Sequence, residues 1–176
     1  YNPLKSTYEK YLNEIGYPGQ NPWNDWANSA EGENGELLEG WYMQHAHRPA
    51  RVAEEHSETA YTTNRALEFL KQHGHAPWCL HLSYIKPHWP YIAPSPYHQL
   101  FRDLELPSAI RSQNELKNPH PIYEALTKIR VSRAFSKNEV RDRVLPTYLG
   151  LVKQLDDHLG RLFQFLEDQG SYDQTL

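Results

Sequence analysis

The chain has 176 residues, a net charge of −4 and 39% apolar content, room for one ordinary domain with one hydrophobic core. A pI near 6.2 lacks the basic excess of a nucleic-acid binder, and no run of about 18 apolar residues exists to span a membrane. A single cysteine excludes an internal disulfide framework and points to a reducing compartment, so a soluble, cytoplasmic protein that handles small molecules or proteins is expected.

In chain order, Thr7 to Ile15 has the pattern of a short helix. The segment GYPGQNPWNDWANSAEGENGELLEG is dense in turn formers and reads as an irregular loop. Burial of Trp23, Trp26 and Trp41 would anchor it on its own core, the alternatives being a substrate-facing lid or a subunit contact. From Ser57 to His73 the spacing of Ala60, Leu67 and Leu70 predicts an amphipathic helix, with Ser57 as N-cap and Gly74 as a left-handed stop. Trp78 to Tyr84, apolar on both faces, reads as a buried parallel strand. Ile122 to Ala134 predicts a short helix. The stripe Val144, Tyr148, Leu151, Val152, Leu155, Leu159, Leu162, Phe163 and Leu166 predicts a long one, with Pro146 near its first turn and Gly170 after its end. The class is α/β. The four stretches 1–56 (Trp/Gly-rich and irregular), 57–101 (helix, strand, loop), 102–139 (a variable insertion) and 140–176 (a long helix) form one domain. The chain starts at Tyr1 and stops at Asp-Gln-Thr-Leu, where an α/β unit would enter its next strand, so both ends are expected to be cuts.

The loop Lys86-Pro87-His88-Trp89-Pro90 combines a cation, a titratable imidazole and stiff backbone. Proline fixes its own φ and biases the residue before it toward extended conformations. His88 on such a strut could hydrogen-bond an anionic oxygen or protonate a leaving group, and Lys86 would add a point charge for an anion. The bland reading is a histidine bonded to a backbone carbonyl beside a solvated lysine. Cys79, inside the apolar strand, is expected to be a buried core thiol rather than a nucleophile. The pairs His45/His47 and His73/His75 match no zinc spacing and would chelate only in extended chain, so no metal site is assigned to them. Asp157, four before Arg161, should make a surface ion pair, while Asp156 should be partly covered. Gly160, mid-helix, suggests a close backbone approach. The six basic residues between Lys128 and Arg143 read as a solvated face.

Three blocks, ARVAEEHSETAYTTNRALEFL, HLSYIKPHWPYIAPSPYH and YLGLVKQLDDHLGRLFQFLEDQGSYDQTL, together resemble the middle of a bacterial sulfatase-family enzyme of the alkaline phosphatase superfamily, closest to the phosphonate monoester hydrolase branch. The resemblance implies a partial alkaline-phosphatase-like sandwich, with a central mixed sheet and flanking helices. For the full-length parent it implies a divalent metal (Mn, Ca or Mg), a formylglycine nucleophile made from cysteine, and hydrolysis of small-molecule sulfate or phosphate/phosphonate esters. Homo-oligomerisation is left open. His88 falls on the family's substrate-contacting histidine and is the catalytic candidate; Lys86, where relatives can carry arginine, is a second substrate-binding candidate. Two family elements do not match. Cys79 is followed by Leu80-His81-Leu82-Ser83 and not by the Cys-x-Pro/Ala-x-Arg motif, and Asp157, His158 and Gly160 do not reproduce the metal-binding Asp-His-Gly. The chain by itself is expected to lack nucleophile and metal ligands. The alternative is a non-catalytic binding or regulatory module of the same architecture.

Overall fold

Helix α5, Asn138–Asp168, forms the spine of the computed structural model, which describes residues 6–175. Against it packs α2, Glu58–His73, through Ala66, Leu70, Leu162 and Leu166. Burying each leucine removes apolar surface from water, worth about 1.5–3 kcal/mol apiece. Ser57 caps α2 as the sequence predicts, accepting from the Ala60 N–H at 3.2 Å. Gly74 differs from expectation: it stays right-handed at φ −65°, with its N–H donating to the Leu70 carbonyl. The left-handed stop occurs instead at Gly170, φ +66°, after α5.

Helix α5 begins earlier than its apolar stripe, so Pro146 lies well inside it rather than in the first turn. The proline is buried there, and the missing N–H removes one rung of the helix ladder. The buried stripe also departs from the hydrophobic pattern. Thr147, Gln154 and His158 are buried, whereas Tyr148, Val152 and Phe163 are exposed. The cause is a polar layer. Glu54 Oε1 accepts from Gln154 at 2.9 Å and meets His158 Nε2 at 2.8 Å, while Gln154 also donates to Ser57 Oγ at 2.9 Å. These bonds satisfy groups that would be costly to bury alone. They also hold the Glu54 carboxyl below its ordinary pKa, the His158 hydrogen bond contributing most.

The start of the chain is more regular than its turn-rich sequence suggests. Helix α1, Thr7–Glu14, carries a full capping box between Ser6 and Glu9. A π-helical turn at Trp23–Ala27 leads into an antiparallel hairpin, β1 Ser29–Glu31 with β2 Leu37–Glu39, in register Ala30 opposite Leu38. Tyr8, Leu12, Ala27, Ala30, Val52 and Ile92 form its core, covered by Tyr11, Tyr17, Trp23 and Trp26. The Arg51 guanidinium lies 4.1 Å from the Trp26 ring centre. The segment is thus an ordered unit with its own packing.

Three expectations about the middle of the chain are corrected. Trp78 to Tyr84 pairs with no strand among the described residues, where the hairpin is the only sheet. Its burial alternates: Trp78, Leu80 and Leu82 pack toward the α2–α5 layer, while Cys79, His81 and Ser83 face outward. Cys79 is therefore exposed, not buried. The helix expected at Ile122 to Ala134 is two, α3 Pro121–Lys128 and α4 Arg130–Ala134, broken where Ile129 turns extended at ψ 153°. No helix is long and apolar enough to cross a membrane.

Candidate functional site

The stretch from Ile85 to Ala93 leaves the end of the unpaired segment and is stitched to the aromatic unit from two sides. Ala50 N–H donates to the Ala93 carbonyl at 2.9 Å, and Arg51 N–H donates to Ser29 at 3.0 Å, so 90–93, 49–52 and 26–30 lie in succession. Within the loop, His88 N–H closes a turn on the Ile85 carbonyl at 3.0 Å. The peptide bonds preceding Pro87, Pro90 and Pro96 are cis.

Lys86 and His88 take opposite directions from this strut. The Lys86 side chain turns inward, 7% exposed, and donates to Asn28 Oδ1 at 2.8 Å and to the Pro90 carbonyl at 2.6 Å. Burial pulls its pKa down to about 8, partly opposed by the Glu58 carboxylate. Burial pushes Glu58 up, with a hydrogen bond from Trp23 and the Lys86 charge opposing it. Lys86 thus fastens the loop from below. Its partner Asn28 is itself located by Gly40, whose N–H donates to the Asn28 carbonyl; any side chain at Gly40 would overlap that oxygen. Sequence reasoning missed Asn28 and Glu58, because nothing local links them to a loop some thirty to sixty positions away.

His88 is exposed, with Nδ1 2.6 Å from the Trp89 carbonyl oxygen. A carbonyl only accepts, so Nδ1 carries the hydrogen and donates it, and this contact leaves Nε2 uncommitted. The ring is oriented by its own backbone. The next residue, Trp89, stands edge-on to Trp41, with ring centres 4.8 Å apart at 87°.

The remaining candidates are dispersed. Asp156 is exposed rather than covered. Asp157 pairs with Lys153 and accepts from the Tyr97 hydroxyl at 2.8 Å, not from Arg161, which instead reaches His158 and Asn64. The close approach expected at Gly160 occurs instead at Gly150. A Cβ on Gly160 meets nothing, whereas on Gly150 it would overlap the Tyr97 carbonyl where α5 crosses the end of the loop. His45 and His47 have lowered pKa values, first from burial and then from neighbouring arginines including Arg48 and Arg143, surroundings that also repel a cation.

The donor set does not suit a divalent metal: among the described residues no group of three or more His, Cys, Asp or Glu side chains converges. Cys79 likewise lies outside any Cys-x-Pro/Ala-x-Arg setting. The described residues thus offer no cluster suited to the divalent metal, and Cys79 no setting suited to the formylglycine, that sulfatase-family parents generally use.

Comparison with known proteins identifies the family. The family model described as Sulfatase matches residues 6–176. A multifunctional alkaline phosphatase superfamily protein, PehA of Trinickia caryophylli, is 34% identical over 142 residues, covering 73% of this chain and 27% of PehA. An arylsulfatase of Clostridium perfringens is 22% identical over 158 residues, covering 86% and 32%. Among solved structures, the phosphonate monoester hydrolase SpPMH of Silicibacter pomeroyi superposes with a TM-score of 0.75 at 24% identity, over 97% of this chain and 34% of that one. The phosphonate monoester hydrolase of Agrobacterium radiobacter gives 0.72 at 21% identity, over 96% and 34%. The chain spans about a third or less of the length of these relatives, and over that span it has the fold of the two hydrolases. It belongs to the sulfatase family, within the alkaline phosphatase superfamily.

Proposed function

We propose that the chain is the substrate-loop segment of a metal-dependent hydrolase acting on sulfate or phosphate/phosphonate monoesters. The observation that carries this reading is the outward His88, fixed by its Nδ1 contact and presenting Nε2 from a loop whose underside is packed. Neutral, Nε2 accepts a proton or hydrogen bond; protonated, it donates to a non-bridging oxygen or to the departing alcohol. Lys86, held inside, contributes by keeping that loop in place and by lending positive charge beneath it. In this reading the nucleophile and the metal ligands come from other parts of the polypeptide. The 176 residues alone, even with manganese added, hydrolyse neither aryl sulfate nor phosphonate monoester.

The test is His88→Ala in the native-length polypeptide that contains this chain. Ester kcat/KM should fall by about 100-fold or more, the scale of a lost general acid–base group, with the melting temperature unchanged. An unaltered rate would return His88 to a merely structural role.

A further inference from the structure

Trp89, the residue after His88, lines a cleft of about 570 Å³ whose walls the hydrolase reading does not use. Trp41, Tyr42 and Trp89 supply aromatic surface on one side; Val131 and Ala134 of α4 close the other, and Arg130 and Lys137 stand at its rim. Its size is that of a small-molecule site. No carboxylate lines it. On a chain of net charge −4, that local excess of positive charge is selective rather than general.

Three details define what would fit. The Arg130 guanidinium sits 5.8 Å from the Tyr42 ring centre, continuing the aromatic wall with a planar cation. Neither the Arg130 nor the Lys137 side chain makes an ion pair or hydrogen bond among the described residues, so both charges remain available to a ligand. The Trp89 indole N–H is covered and finds no acceptor, an unpaired donor of the kind that a ligand or ordered water satisfies. Flat aromatic walls favour stacking on a ring, and two unpaired cations favour an anionic substituent on it. Trp89, which lines the cleft, is the residue after His88, and consecutive α-carbons are about 3.8 Å apart, so cleft and histidine share one stretch of backbone.

We propose that this cleft binds the aromatic ring of an anionic aryl compound, with Arg130 and Lys137 selecting a carboxylate on that ring. Resting on the hydrolase reading, the ring is the alcohol side of the ester, so the preferred substrate class is a carboxylated aryl monoester.

Binding of 4-hydroxybenzoate, phenol and cyclohexanecarboxylate to the chain, followed by saturation-transfer NMR and tryptophan fluorescence, tests the cleft without requiring catalysis. The expected result is affinity for 4-hydroxybenzoate at least about fivefold above either of the others. The double variant Arg130→Gln/Lys137→Gln, which alters exposed side chains, should reduce it to the level of phenol. Ala134→Phe should abolish it by filling the space, and His88→Ala should leave it intact. Equal affinities for the three compounds, or a profile untouched by both the double variant and Ala134→Phe, would overturn the proposal. In the native-length polypeptide, ring binding without hydrolysis of any ester removes the hydrolase reading and keeps the cleft. Hydrolysis that ignores both the carboxylate and Ala134→Phe removes the cleft and keeps the hydrolase.

Discussion

Residues 6–57 and 102–137 look alike as sequence, turn-rich and with little periodicity, yet they fold to opposite ends of the packing scale. The first carries Trp23, Trp26 and Trp41 with Tyr8, Tyr11 and Tyr17, and it encloses Leu12 and Ala30 at 0% exposure. The second has Tyr123 and Phe135 as its only aromatic residues, contains no buried residue, and leaves Ile110 at 96% exposure. Large rings stabilise irregular backbone because each covers 150–250 Å² at little cost in side-chain entropy, and aliphatic residues spaced through polar chain do not. The proposed site and cleft follow the same division. The rigid unit carries Asn28, which anchors Lys86 and with it the His88 loop. The exposed excursion supplies the cationic wall of the neighbouring cleft.

The contrast predicts its own largest effect. Leu12→Ala should lower the free energy of unfolding by about 2–5 kcal/mol, read as a reduced urea midpoint at unchanged slope; a loss below about 1 kcal/mol would mean that the aromatic unit is not one core. Lys86 sharpens the contrast by pH. Its native pKa is about 8 against an ordinary 10.5, so between those values the unfolded chain holds a proton that the native chain has released. Stability attributable to Lys86 therefore rises with pH across that window, by about 3 kcal/mol at 1.36 kcal/mol per unit. Tyr8 and Tyr97, whose pKa values burial raises, work in the opposite sense above about pH 10, so the measurement is the difference between wild type and Lys86→Met. Parallel curves for the two proteins would place the ammonium in solvent.

Ser57→Ala removes both the cap of α2 and an acceptor for Gln154, and should cost about 1–2 kcal/mol by thermal unfolding. At the small end, Ile110→Ser should change stability by less than about 0.5 kcal/mol, and the amides of residues 105–111 should exchange with solvent almost unprotected. Slow exchange there would break the comparison by revealing cover for that segment.

Local rules reached far along this chain. Ser57, Thr7 to Ile15, Gly170 and the long final helix were legible because capping, periodicity and positive-φ preference act within a few residues. The candidate loop was legible too, since proline spacing and the Lys-Pro-His order are local facts. What pattern could not reveal was direction. Gly150, not Gly160, proved to be the tight crossing; His158 and Gln154 turned inward where Val152 and Phe163 were expected.

The sequence by itself determined the family and the helices α1, α2 and α5, because those depend on neighbours in the chain. Only the tertiary structure decided that Lys86 is buried while His88, two positions on, is exposed, and that Cys79 faces outward. Such outcomes depend on which distant group satisfies a charge or covers a face. Asn28 lies 58 residues from Lys86, and Glu54 lies 104 from His158. No local pattern encodes such a pairing, because its free energy exists only once the intervening chain has folded.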